Sequence, residues 1–78
     1  MKFRRLLDCR EDNDLTQAKV AEFLGIDQRV YSTYELGKRK IPIDFLIKLA
    51  KLYNTSIDYL VGLTDDPTPY KRSTRKQI

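Results

Sequence analysis

Histidine and tryptophan are absent from this chain of 78 residues, and cysteine occurs once, at Cys9. Without an imidazole there is no Ser/His triad, and without a second cysteine there is neither an intramolecular disulfide nor a Cys/His zinc site. No metal and no cofactor is expected. Cys9 reads as a small residue of a first helix in a reducing compartment. A glycine-rich phosphate loop and a recognisable carboxylate pair are missing as well, so the sequence gives no support to an enzyme. No apolar run approaches the roughly 18 residues that cross a membrane. The opening MKFRRLLDCRED is too short and too charged for a secretory signal. A cytoplasmic protein with no membrane segment is expected.

What the chain does have is length for one small domain and an excess of positive charge. Near 80 residues, a single core gives only a few kcal/mol of net stability. Fifteen Lys and Arg stand against eleven Asp and Glu, a formal charge of +4. That balance suits a polyanionic partner, without separating DNA from RNA or a membrane surface.

The most informative stretch is LTQAKVAEFLGIDQRVYSTYELGKRK, residues 15–40. It reads as two short helices joined by a tight turn. Thr16 can cap the first helix, and Gly25 can take the left-handed conformation that ends it. Three residues, 25–27, then separate it from the second helix, which Asp27 caps and Gly37 closes. This is the outline of a helix-turn-helix.

At about 100° per residue the second of these helices divides into two faces. Val30, Tyr31 and Tyr34 fall on one side. Gln28, Arg29, Ser32 and Thr33 fall on the other, with Leu36 among them. Glutamine matches the major-groove edge of adenine and arginine that of guanine; polar side chains on an outer face are equally compatible with plain solvation. The loop that follows, Gly37-Lys38-Arg39-Lys40, puts three cations past the helix C-terminus, where they suit the dipole and can grip phosphates. From residue 28 to residue 40 four cations face the single acid Glu35, so most of the net charge of the chain lies here.

Flanking helices complete an all-α domain of five. A first helix is predicted over residues 2–11, with Phe3, Leu6, Leu7 and Arg10 on one buried stripe. A guanidinium on such a stripe requires an acid or a route to water. Glu35, at the edge of the inner face of the second motif helix, is the candidate for a structural ion pair with Arg10. A fourth helix is predicted over residues 44–53 after Pro42, with Phe45, Leu46, Leu49, Ala50 and Tyr53 facing the core. Asn54 ends it, Ser56 caps a short fifth helix over 57–61, and Gly62 stops that one. From Thr64 the sequence TDDPTPYKRSTRKQI loses apolar periodicity, so the chain divides into a domain at 1–63 and a flexible basic tail at 64–78. Tyr70, Lys71, Arg72, Arg75 and Lys76 of the tail are candidates for non-specific phosphate contact.

Several residues together carry a likeness to a known family. They are Leu15-Thr16-Gln17, Val20-Ala21, Gly25-Ile26, Tyr31-Ser32, Tyr34-Glu35 and Gly37-Lys38-Arg39, then Pro42, Leu46, Leu49-Ala50 and Ser56-Ile57-Asp58-Tyr59-Leu60. In this order and spacing the chain resembles the phage-repressor and Cro type of helix-turn-helix regulators, the XRE family, over about residues 3–63. The resemblance implies a lambda-repressor-like five-helix domain that binds double-stranded DNA and represses transcription. It assigns base contacts to Gln28, Arg29 and Thr33 and a phosphate contact to Gln17, and it agrees with pairing Arg10 to Glu35. Ser32, Lys38, Arg39 and Lys40 join the phosphate set. Tyr31 stands where the family has an aliphatic residue, and its hydroxyl is expected to reach solvent, a partner or the DNA backbone. The family further implies a homodimer on a palindromic operator, with Ile41, Ile43, Ile57 and Tyr59 as candidate dimer contacts and core burial as the other reading of each. No Ser/Lys peptidase domain has room in this chain, so an antirepressor or other outside partner would relieve repression. A protein-binding role, such as an antitoxin meeting its toxin, is the alternative use of the same fold.

Overall fold

All five helices among the described residues stop by the same device. They are α1 (Arg4–Asp12), α2 (Gln17–Leu24), α3 (Gln28–Glu35), α4 (Ile43–Leu52) and α5 (Ile57–Leu60) in a computed structural model that describes residues 2–71. After each helix one residue takes a positive φ: Asp14, Gly25, Gly37, Asn54 and Gly62. The next residue then turns its N–H back onto the last helical turn. The bonds are Leu15 N to Arg10 O, Ile26 N to Ala21 O, Lys38 N to Thr33 O, Thr55 N to Ala50 O and Leu63 N to Asp58 O, all 2.8–3.0 Å. Carbonyls that a helix end would leave orphaned are thus satisfied, and every reversal stays short.

Helix starts are less uniform. Thr16, Asp27 and Ser56 cap α2, α3 and α5 with side-chain oxygens that accept from Lys19 N, Arg29 N and Tyr59 N. Neither Phe3 before α1 nor Pro42 before α4 makes a side-chain cap. Both still set the boundary. Phe3 is extended, so α1 begins at Arg4 rather than at residue 2, and Lys2 lies over the Gly37 turn. A Cβ on Gly37 would sit 3.0 Å from the Lys2 Cα. Pro42 offers its carbonyl to Phe45 N and Leu46 N, which starts α4 at Ile43, one residue before the predicted start. The helix stops one residue early as well, at Leu52, and α5 ends at Leu60 rather than Val61.

The core collects Leu6 and Cys9 of α1, Val20, Ala21 and Leu24 of α2, Tyr31 and Tyr34 of α3, and Leu46, Leu49 and Ala50 of α4, closed by Ile41 and Leu60. Leu7, predicted on the α1 stripe, is only half-buried, and Cys9 takes the inner position. α2 packs chiefly on α3 and α4 on α5, while α1 touches both α3 and α5. The Tyr34 and Phe45 rings, tilted with centroids 6.2 Å apart, join α3 to α4.

Residues 64–71, expected as the start of the tail, run back along α5. Arg5 Nη1 donates to the carbonyls of Tyr59 (3.0 Å) and Thr64, its Nη2 to Asp65 Oδ1, and its guanidinium lies 4.1 Å from the centre of the Tyr59 ring. Thr55 Oγ1 donates to Pro67 O at 2.7 Å, and the Tyr70 hydroxyl donates to Asp58 at 2.8 Å. Arg72, Arg75 and Lys76 lie outside the described residues.

Candidate nucleic-acid interface

The α2–α3 pair places one side of α3 toward solvent. Gln17 at the start of α2 and Asp27, Gln28, Arg29 and Ser32 at the start of α3 line one shallow depression. Gln28 is exposed, and the Arg29 side chain is 96% exposed. Thr33, one turn further, is half-buried and donates its hydroxyl to Val30 O at 2.6 Å, which leaves its methyl as the free end. Leu36 is exposed beyond it on the same side. The Gly37 turn then carries Lys38, Arg39 and Lys40 into solvent, with Lys38 N and Arg39 N both bonded to Thr33 O. Of the residues assigned to bases and phosphates, the fold therefore groups Gln17, Gln28, Arg29 and Ser32 in one recess, with Thr33 and the basic loop at the other end of α3.

The opposite side of α3 is built from fixed partners. Arg10 Nε donates to Glu35 Oε2 at 2.7 Å and Arg10 Nη2 to Glu35 Oε1 at 3.2 Å. Its remaining arm, Nη1, donates to Leu15 O at 2.9 Å in the α1–α2 connection. Gln17 Nε2 donates to Glu35 Oε1 at 3.0 Å. One buried carboxylate thereby ties α1 and α2 to α3. Burial opposes the charge on Glu35, but hydrogen bonds from Arg10 and Gln17, with the Tyr31 hydroxyl close by, outweigh it and hold its pKa below the ordinary value. The same bond to Glu35 raises the Arg10 pKa. Removing one member of such a pair costs about 3–5 kcal/mol, because the other charge is left buried alone.

Tyr31 corrects an expectation. It is fully buried, so its hydroxyl reaches neither solvent nor the DNA backbone. That hydroxyl lies beside Glu35 without a hydrogen bond of good geometry, and burial and the neighbouring carboxylate drive its ionisation far above the ordinary tyrosine range. A larger residue at an aliphatic position is accommodated by filling the core, not by turning outward.

The candidate dimer residues separate. Ile41 is 8% exposed and belongs to the core of its own chain, whereas Ile43 is 58% exposed. Ile57 and Tyr59 are half-buried against the core, and Tyr59 gives one ring face to Arg5. Two residues escaped the sequence reading. Asp27 was read only as a cap, yet it borders the recess. Arg5 was not singled out, because its partners lie 54 to 60 residues away.

With this geometry in view, a helix-turn-helix family model matches residues 6–60. The chain belongs to the helix-turn-helix family. Within that family it is an all-α protein of the XRE, phage-repressor type, and its matched relatives are regulators. It is 45% identical over 69 residues to the uncharacterized HTH-type transcriptional regulator YobD of Bacillus subtilis, covering 88% of this chain and 62% of that one. It is 42% identical over 59 residues to the HTH-type transcriptional regulator ImmR of the same organism, covering 76% and 46%. To the cryptic phage CTXphi transcriptional repressor RstR of Vibrio cholerae it is 35% identical over 58 residues, covering 74% and 52%. The crystal structure of a transcriptional regulator from Listeria innocua matches with a TM-score of 0.72 at 28% identity, covering 97% of this chain and 65% of that one. The chain thus spans between about half and two thirds of the length of these helix-turn-helix relatives. Among the described residues no helix is long and apolar enough to cross a membrane.

Proposed function

We propose that the chain is a sequence-specific double-stranded DNA-binding regulator, a repressor of the phage or mobile-element kind that acts as a dimer on a palindromic operator. One observation carries this reading. The same helix whose inner side is locked by Arg10, Glu35 and Gln17 leaves Gln28 and Arg29 exposed at the start of its outer side, with a loop of three exposed cations at its other end. A rigid helix with unengaged forked donors is what reading a base edge requires, since each bidentate match is worth about 1–3 kcal/mol of discrimination.

The roles follow from reach and chemistry. Arg29 reads guanine through O6 and N7, Gln28 reads adenine, and the Thr33 methyl meets a thymine methyl. Gln17 uses one amide N–H on Glu35 and has a second for a phosphate. Ser32, Lys38, Arg39 and Lys40 add phosphate contacts that set register without carrying sequence. A domain this small makes too few contacts for typical operator affinity, and two-fold pairing places half-sites about 34 Å apart, one turn of DNA. Of the four candidates for that pairing Ile43 is the most exposed, and Ile57 and Tyr59 are half-buried. Selection from a pool of randomised duplexes tests the reading. An inverted repeat with this spacing is expected, together with dimers in sedimentation on the selected DNA. Absence of any enriched sequence would overturn sequence-specific binding and move the assignment to a protein partner such as a toxin or antirepressor.

A further inference from the structure

Asp27 caps the start of α3 at the border of the outer recess, and its chemistry there is unlike that of its neighbours. Its Oδ1 accepts from Arg29 N at 2.7 Å, which caps α3, and lies 4.0 Å from Arg29 Nε. Among the described residues no donor reaches Oδ2. The side chain is 63% exposed and shares the recess with Gln17, Gln28, Arg29 and Ser32, all of which can donate hydrogen bonds. Capping alone asks only for a short side-chain acceptor, and serine or asparagine fills that role as well as aspartate.

A carboxylate accepts hydrogen bonds and donates none. Facing DNA it is repelled by phosphates and by the acceptors that crowd the major groove: guanine O6 and N7, adenine N7 and thymine O4. Only two base edges offer it a donor, the amino groups of cytosine N4 and adenine N6. Adenine carries the N7 acceptor on the same edge, while cytosine shows only its amino group, so the carboxylate is matched best by cytosine. The partner at 4.0 Å reinforces this. With Nε turned toward Asp27, the two Nη groups of Arg29 are left as a fork for guanine.

We infer that Asp27 is a specificity-determining residue: it selects cytosine at the base pair beside the one read by Arg29, and it weakens binding to DNA of other sequence. This rests on the proposed reading that α3 enters the major groove. It assigns the acid a discriminating role opposite in sign to that of the surrounding cations.

The test is Asp27→Asn, which keeps a competent cap and removes the charge, with Asp27→Ser as a second capping variant should the first fail to fold. Circular dichroism and thermal melts establish that each variant folds like the wild type. Selection from randomised duplexes and titration of one random-sequence duplex then give base preference and background affinity. The expected result is loss of a cytosine preference of roughly tenfold at one position per half-site, with the random duplex bound several-fold more tightly. A folded variant with unchanged base preference and unchanged background affinity would overturn the inference and leave Asp27 a cap only. A wild-type chain that selects no sequence would overturn the DNA-reading proposal itself, and the inference with it.

Discussion

The two sides of α3 use similar side chains in opposite ways. Inside, Arg10 meets Glu35 through two nitrogens and a backbone carbonyl through the third, and Gln17 completes the carboxylate. Outside, Arg29 and Gln28 stand in solvent, with only a loose 4.0 Å approach to Asp27. An arginine with all three nitrogens engaged fixes the pose of a helix; one with its Nη groups in solvent can be matched to a ligand. A small domain of short helices can hold the outer face of α3 rigid in this way. Rigidity comes from a buried polar junction between three helices, and the proposed readout uses the other side, with Gln17 the one residue of the junction that also borders the outer recess.

The largest effect is expected from breaking the inner side. Arg10→Ala should lower stability by about 3–5 kcal/mol in urea denaturation, since it strands a buried carboxylate. For a domain of this size that is a large fraction of the roughly 0.05–0.15 kcal/mol per residue that holds proteins folded. Replacing both partners, as in Arg10→Met with Glu35→Leu, should recover much of the loss, because an apolar pair of similar volume strands no charge. A loss below about 1 kcal/mol for Arg10→Ala would place the guanidinium in water instead.

Acid should probe the same junction. Glu35 has a lowered pKa when folded, so its contribution is fully present above the unfolded carboxyl value of about 4.3 and is lost as the pH falls through the lower folded value. Glu35→Gln should already lack that contribution and should therefore show a shallower fall in melting temperature over the same acid range. Equal pH profiles for the two proteins would remove Glu35 from the account.

The outer side should respond in reverse. Arg29→Ala is expected to change stability by no more than about 0.5 kcal/mol. It should weaken binding to the selected duplex by about 1–3 kcal/mol and relax preference at one base pair. Smallest of all, Lys40→Ala should weaken every sequence alike and reduce the slope of log affinity against log salt by about 1. Sequence-dependent losses for Lys40→Ala would exchange the two roles.

The sequence carried the local part of this picture and lost the long-range part. The Thr16, Asp27 and Ser56 caps, and the stops at Gly25, Gly37, Gly62 and Asn54, were legible because each depends on a residue type at a fixed offset. Asp14, the stop of α1, was not singled out, since aspartate takes a positive φ less readily than glycine. Tyr31 belongs to the inner face that the helical spacing gave it, but the enclosure of its hydroxyl was missed, because a tyrosine hydroxyl suggests an outlet and here ring and hydroxyl both fill the core beside Glu35. The bonds from Arg5 and Thr55 to residues 59–67 were invisible, because nothing in local spacing links segments so far apart.

The central claim is that the outer side of α3, and not another face of the domain, meets DNA. Amide and side-chain chemical shifts, followed as the selected duplex is added, test it directly. The account predicts the largest changes at Gln17, Gln28, Arg29, Ser32, Thr33 and residues 38–40, with Lys48 and Leu52 of α4 unmoved. Changes concentrated on α4 and α5, with Gln28 and Arg29 unaffected, would contradict it.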